Sequence, residues 1–206
     1  MEAPIALYFD FVSPYAYLAL PRAERLAASC GRSLDLRPVL LGVTVLRVMG
    51  LKPVPQTPLK GDYARADIER LAKLHGVPFR HHGLPEVNSV PALRAFLWIK
   101  RRDSAAAHEF ARRVFAQLWA QGRDISAPEQ LADAIAAAGQ DPETVIAACG
   151  EPEARDALRT AVDDAIARGV FGVPFFVADG ESFWGGDRLP MLEHWLTHHR
   201  WEADPV

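Results

Sequence analysis

The stretch IALYFDFVSPYAYL, residues 5–18, carries the strongest structural signal in the chain. Its first part, Ile5–Phe11, is apolar and aromatic in character, which predicts a buried strand. Ser13 and Pro14 follow, and proline suits the first turn of a helix. From Tyr15 to Ala28 the apolar residues recur at helical spacing. The stretch therefore predicts a strand that leads directly into a helix.

Further strands lie on either side of a long helical block. Leu34–Leu41 alternates and then becomes apolar, so it predicts a second strand and, with the first helix, a parallel βαβ unit. Residues 62–168 are almost entirely helical in pattern. Phe175–Ala178 and Ser182–Trp184 predict a hairpin across an Asp-Gly turn, and a last helix follows them.

This order of elements predicts an α/β fold with a thioredoxin-like β-α-β-β-α core. A large all-helical insertion separates the second and third strands. We expect residues 1–58 and 169–206 to form the thioredoxin-like domain and residues 59–168 to form the helical insertion domain. A chain of 206 residues can bury a core without disulfides or a metal.

Composition and charge narrow the class of protein. Half of the residues are hydrophobic (50%) and the net charge is −3, so a basic surface for nucleic acid is not expected. No apolar run approaches the length of a membrane span, and the start of the chain lacks the pattern of a signal peptide, so we expect a cytoplasmic protein. Cys30 and Cys149 are far apart, which indicates neither a redox motif nor a disulfide framework. No residue set with metal-ligand spacing is predicted.

Ser13 is the first candidate functional residue because it lies between the first strand and the first helix. Its hydroxyl would stand at the helix N-terminus, beside free amides and the positive end of the helix dipole. A thioredoxin-like fold has its redox cysteine at this place. A serine there can donate its O–H to the thiolate of another molecule. The alternative is a plain N-cap, with Pro14 as the first helical residue.

Val173 and Pro174, just before the third strand, are the second candidate. A cis proline here, as in the thioredoxin fold, would expose the N–H and C=O of Val173 to an extended peptide. The alternative is an ordinary junction between loop and strand. Lys60, after a proline-rich loop, could bind a carboxylate or could simply be solvated.

Gly186, Asp187 and Arg188 precede the last helix and are the remaining candidates. The glycines allow a ligand to approach the helix N-terminus, which can hold a carboxylate, while Asp187 can hold an ammonium group. The alternative is that Asp187 only caps the helix.

Together these motifs resemble the 2-hydroxychromene-2-carboxylate isomerase family, which is related to the kappa-class glutathione transferases within the DsbA-like thioredoxin superfamily. The resemblance covers nearly the whole chain. The matching segments are residues 8–15, 60–61, 171–174 and 183–189.

The resemblance implies a glutathione cofactor and a set of residues that would hold it. Those residues are Ser13 at the sulfur, Lys60 at the glycyl end, Val173 at the cysteinyl backbone next to Pro174, and Gly186, Asp187 and Arg188 at the γ-glutamyl end. It also implies a homodimer, and a small-molecule substrate that is an unsaturated aromatic α-keto acid. The implied reaction converts 2-hydroxychromene-2-carboxylate to trans-o-hydroxybenzylidenepyruvate by reversible thiolate addition.

Two alternatives remain open, and two positions are ambiguous. A kappa-type transferase or peroxidase would consume glutathione, and a non-catalytic module would bind glutathione without turnover. Leu51 stands where related kappa-class chains often have an asparagine, so one polar contact is expected to be missing. Asn88-Ser89, at the start of a predicted helix, either lines the substrate pocket or caps the helix.

Overall fold

The computed structural model describes residues 3–84 and 86–202, and the strands in these ranges form one mixed sheet. The strands are β1 (Ile5–Phe9), β2 (Leu34–Pro38), β3 (Phe175–Ala178) and β4 (Glu181–Trp184), in the order β2-β1-β3-β4. β1 is parallel to β2 and antiparallel to β3, and β3 and β4 form an antiparallel hairpin. The predicted thioredoxin-like core is confirmed.

Helices connect and cover this sheet. α1 (Pro14–Ser29) joins β1 to β2, and α8 (Leu189–His198) follows β4 after a 3-10 turn at Gly186–Arg188. Between β2 and β3 lie a π-helix (Gly42–Val48), a 3-10 turn (Val54–Gln56), α2 (Lys60–His75), α3 (Val90–Lys100), α4 (Ser104–Trp119), a 3-10 turn (Pro128–Leu131), α5 (Ala132–Ala137), α6 (Pro142–Cys149) and α7 (Pro152–Ala167). The helical block that the sequence predicts between the second and third strands is therefore present.

The first two strands end earlier than the sequence predicts. β1 stops at Phe9 rather than Phe11, and β2 stops at Pro38 rather than Leu41. The Asp10 carboxylate accepts the N–H of Leu41 at 2.9 Å, so a side chain takes the place of the next ladder hydrogen bond. The chain after β2 then turns into the π-helix, which the sequence does not predict.

Both faces of the sheet are buried. Alternate residues of β1 point to opposite sides: Ile5, Leu7 and Phe9 join the main core, whereas Ala6 and Tyr8 pack in a smaller cluster with residues that include Ala165 of α7. This double burial explains why β1 is apolar at every position rather than at alternate ones.

The helical block shares its core with the sheet. The ring of Phe9 lies 5.1 Å from that of Phe96 on α3, centroid to centroid, and both side chains are fully buried. The division into 1–58 with 169–206 and 59–168 stays a prediction, and its outermost residues, 1–2 and 203–206, lie outside the described ranges. None of the described helices is both long and apolar enough to cross a membrane.

Candidate functional site

Ser13 caps α1 and also faces the loop before β3. Its backbone is extended (φ −93°, ψ 109°), its hydroxyl oxygen accepts the Ala16 N–H at 3.2 Å, and Pro14 begins the helix. The same hydroxyl lies 3.5 Å from the carbonyl oxygen of Val173, toward which it donates. The N-cap interpretation is therefore confirmed. The cap uses only the oxygen's acceptor capacity, so the O–H proton remains directed at the Val173 loop.

The Val173–Pro174 peptide bond is cis, which decides between the two alternatives that the sequence left open at this position. Val173 is half-buried, and its N–H donates to no residue in the described part of the chain. Among the described residues, its carbonyl oxygen accepts only the long hydrogen bond from Ser13. The backbone at Val173 is thus a short unpaired edge of the kind that an extended peptide can join.

The glycine-rich turn before α8 lies beside this edge. Gly185 N–H donates to the Pro174 carbonyl at 2.9 Å, and the φ of +107° at Gly185 suits glycine. Gly186 packs closely on α1, because a Cβ there would come within 3.2 Å of the Cβ of Ala19. Arg22 Nη1 donates to the Gly186 carbonyl at 3.0 Å, which fixes the turn to the helix that Ser13 caps.

Asp187 and Arg188 are exposed and form an ion pair with each other at 2.8 Å. The N-cap residue of α8 is Arg188, and no side chain caps that helix. The alternative in which Asp187 serves as the helix cap is therefore wrong. Its carboxylate instead stands at the surface beside the glycine turn.

Lys60 lies apart from these residues. It is the exposed first residue of α2, and no hydrogen bond or ion pair among the described residues joins it to Ser13 or Val173. α2 is tied to α1 by Tyr15, whose hydroxyl donates to Asp67 Oδ2 at 3.2 Å. Lys60 lies about 10 Å along the axis from Asp67, at a rise of 1.5 Å per residue. The described contacts thus bring Ser13 together with the Val173 loop and tie the Gly186 turn to α1, and no such contact joins Lys60 to them.

The chemistry of this site is donation rather than proton abstraction. At the α1 N-terminus Pro14 has no N–H, and the Ala16 and Tyr17 amides already donate to Ser13. The Tyr15 amide and the Ser13 hydroxyl remain as donors, and both favour an anion. Burial and the Asp67 carboxylate raise the pKa of Tyr15 to about 12, so its phenol stays protonated at neutral pH. No cluster of three metal-ligating side chains occurs in residues 3–84 and 86–202. Position 51 carries the apolar side chain of leucine, which is 52% exposed, so it offers no polar group there.

The structure adds two residues, Asp10 and Trp119, that the sequence analysis does not single out for the site. Asp10 is fully buried three residues before Ser13, and the hydroxyl of Ser89 hydrogen-bonds its carboxyl. Trp119, at the end of α4, donates its Nε1–H to the Phe11 carbonyl at 2.8 Å. An acid inside an apolar run is a signal that could have pointed to Asp10, because a buried carboxylate needs partners.

Asn88 and Ser89 have separate tasks. Asn88 Oδ1 accepts the N–H of Val90, the first residue of α3, at 3.1 Å, so Asn88 supports the start of the helix from the position before its N-cap residue, Ser89. Ser89 is only 3% exposed and faces Asp10.

Comparison with known proteins agrees with this geometry. The DSBA-like thioredoxin domain family matches residues 4–197. A 2-hydroxychromene-2-carboxylate isomerase of Pseudomonas putida is 30% identical over 92% of this chain and 92% of its own length. Glutathione S-transferase kappa 1 of Homo sapiens is 26% identical over 96% of this chain and 92% of its own. A solved structure of 2-hydroxychromene-2-carboxylate isomerase superposes with a TM-score of 0.83 at 28% identity, covering 95% of each chain.

Proposed function

Because the chain belongs to the DSBA-like thioredoxin family, and within it to the 2-hydroxychromene-2-carboxylate isomerases and their kappa-class relatives, we propose that it is a glutathione-dependent isomerase. The proposed reaction converts 2-hydroxychromene-2-carboxylate to trans-o-hydroxybenzylidenepyruvate. The observation that carries the proposal is the Ser13 hydroxyl, which caps α1 and stands 3.5 Å from the carbonyl of Val173 next to Pro174.

The residues present fit glutathione. The unpaired N–H of Val173 and its nearly free carbonyl suit the backbone of a short extended peptide. The glycine turn at Gly186 adjoins this edge, because the Gly185 N–H donates to the Pro174 carbonyl. The amides of that turn suit the carboxylate of a γ-glutamyl group, and the exposed Asp187 carboxylate suits its ammonium group. Lys60 suits the glycyl carboxylate from the neighbouring helix end. When bound, glutathione supplies a thiol for reversible addition to the unsaturated substrate.

Ser13 and the α1 N-terminus are sufficient in magnitude to hold that sulfur as an anion. A cysteine-type thiol has a pKa of about 8.5, and lowering it to about 6.5 requires a preference of about 3 kcal/mol for the anion. A hydrogen bond to a charged group contributes about 1.5–3 kcal/mol. A helix N-terminus contributes about 0.3–1 kcal/mol. No general base is needed, which agrees with the protonated state of Tyr15.

The test is a turnover assay in which free thiol is counted. Purified protein is mixed with 2-hydroxychromene-2-carboxylate and less than one equivalent of glutathione, and the product is followed by its absorbance. We expect conversion to the equilibrium mixture of the two isomers, with more product formed than glutathione present and the thiol count unchanged. Conversion that does not depend on glutathione would contradict the proposal. A loss of one thiol per product would identify a kappa-type transferase, and heat of glutathione binding without turnover would identify a non-catalytic module.

We also propose that the protein is a homodimer that works in the cytoplasm. Large apolar side chains are exposed between the π-helix and the start of α2, with Leu46 47%, Val48 58%, Leu51 52%, Leu59 91% and Tyr63 65% exposed. Clustered exposure of this kind suits a contact with a second copy. Sedimentation velocity of the purified protein tests the dimer, and a monomer at micromolar concentration would contradict it.

The proposed cytoplasmic location agrees with the cysteines, because a reducing compartment suits Cys30 and Cys149, which are both free.

A further inference from the structure

Asp10 is a buried acid with no role in the reaction proposed above. It follows β1, is 0% exposed, and its carbonyl accepts the N–H of Ser13 at 3.0 Å. Its carboxylate accepts the N–H of Val12 at 3.3 Å and that of Leu41 at 2.9 Å, and it is also hydrogen-bonded by Ser89. The same residue therefore holds the turn that presents Ser13 through both its main chain and its side chain.

The partners of Asp10 come from the starts of three helices. Val12 lies in the turn before α1, Leu41 is the N-cap residue of the π-helix, and Ser89 is the N-cap residue of α3. The positive ends of helix dipoles favour a carboxylate at such a place.

The largest influences on this carboxyl are its burial and its hydrogen bonds, and none of these comes from a charged side chain. The groups that face it are the Ser89 hydroxyl and the amides of Phe11, Val12 and Leu41. Burial raises the pKa of Asp10 above its ordinary value, and these four hydrogen bonds act in the opposite direction. Burying a carboxyl group without a cation beside it costs free energy, so the hydrogen bonds that surround Asp10 are needed to keep it in this turn.

We propose that Asp10 is a positioning residue that holds the Ser13 hydroxyl in place by tying the β1–α1 turn to the π-helix and to α3. This inference rests on the proposed function. The Ser13 hydroxyl stands at the edge of hydrogen-bonding distance from Val173, so a shift of the turn changes what it can reach. A misplacement of about 1 Å in such a site costs about 100-fold in rate.

The experiment compares how strongly the protein ionises bound glutathione with how strongly it binds a peptide of the same shape. Thiolate absorbance of the glutathione complex is titrated against pH. The complex with γ-glutamyl-seryl-glycine, which has no thiol, serves as the blank and as a separate measure of binding. Asp10→Asn keeps the size of the side chain but places an N–H₂ against a backbone N–H.

For Asp10→Asn we expect the apparent pKa of the bound thiol to rise by about one pH unit, which matches the loss of a hydrogen bond to a charged group. Binding of the serine peptide should stay within about twofold, because the Val173 edge is untouched. Ser89→Ala should raise the thiol pKa less, and Ser89→Thr, which keeps the hydroxyl, should restore it. Asp179→Asn is the matched control, since Asp179 pairs with Arg32 near Ala3, at the other end of β1.

Each outcome decides the inference. A folded Asp10→Asn variant with the wild-type thiol pKa would overturn it, and so would a lowered thiol pKa, which would mean that the charge opposes the thiolate. If Asp10→Asn does not fold, Ser89→Ala decides in the same way. Absence of any thiolate signal in the wild-type complex would overturn the proposed function and this inference together, whereas a wild-type signal with unaltered variants would overturn this inference alone.

Discussion

Replacing Ser13 by alanine should separate the two tasks of one hydroxyl. As the N-cap of α1, its oxygen accepts the Ala16 N–H at 3.2 Å, and loss of such a cap costs about 0.5–2 kcal/mol of stability. As the donor to a bound sulfur anion, it contributes about 1.5–3 kcal/mol, which is about one to two units of thiol pKa. The helix dipole stays in place in the variant and continues to favour the anion.

These magnitudes predict both a stability change and a rate change. If the bound thiol has a pKa near 6.5, about three quarters is thiolate at pH 7, and a pKa near 8 leaves about one tenth. Ionisation alone should therefore slow turnover at pH 7 by a factor of about eight, and the rate should recover as the pH rises. Urea denaturation measures the first effect, and the pH profile of kcat with saturating glutathione measures the second.

Asp103→Ala is the matched control because Asp103 caps α4 in the same way, with Oδ1 accepting the Ala106 N–H at 2.9 Å. It should lose a similar amount of stability and keep the wild-type pH profile. If Ser13→Ala also keeps the wild-type pH profile, the reasoning about the sulfur anion is refuted, and Ser13 is only a helix cap.

Three further predictions concern stability and thiol reactivity. Trp119→Phe leaves a buried carbonyl of the β1–α1 turn without its donor, so urea denaturation should show a loss of about 1–3 kcal/mol; an unchanged midpoint would contradict the role of that indole. Arg32 holds the pKa of Asp179 below its usual range, so Asp179→Asn should cost about 1.5–3 kcal/mol at pH 7. That contribution is present above the ordinary carboxyl pKa and is lost as the pH falls through the lowered one, so the stabilities of the two proteins should converge on the acid side of the ordinary carboxyl pKa, and a constant difference would argue against the ion pair. Burial raises the pKa of Cys149 to about 11, so a thiol reagent at pH 7 should modify Cys30 in the native protein and Cys149 only after unfolding; rapid reaction of both would contradict the buried placement.

Local sequence signals were enough for the core of the fold. The apolar run at β1, with a proline at the start of the next helix, predicts the β1–α1 unit, and the predicted strand Phe175–Ala178 is observed with the same bounds. The π-helix at Gly42–Val48 could not be predicted in this way. Its start depends on the hydrogen bond between Leu41 and Asp10, which lie 31 positions apart in the chain.

Some residues of the candidate site can likewise be predicted from local sequence, whereas others depend on tertiary contacts. Ser13 and Val173 could be named because each stands at a junction whose local sequence is distinctive, and the structure brings them together. The sequence around Asp187 allows two alternatives, and only the tertiary structure excludes the capping role, because Arg188 is the N-cap residue of α8 and no side chain caps that helix. Local sequence does not distinguish Trp119 from a core aromatic residue, because its indole N–H donates to the carbonyl of Phe11, more than a hundred residues earlier in the chain.

From the positions of the two cysteines we infer that any thiol acting at Ser13 comes from another molecule. Cys30 is the C-cap of α1, and a helix of 16 residues places it about 24 Å from the N-terminus that Ser13 caps. Cys149 is buried on α6 with its sulfur 3.7 Å from the Pro91 carbonyl, and its raised pKa keeps it protonated. A helix N-terminus with a hydroxyl donor and an open peptide edge at Val173, but no thiol of its own within reach, is suited to a small thiol peptide that binds along that edge.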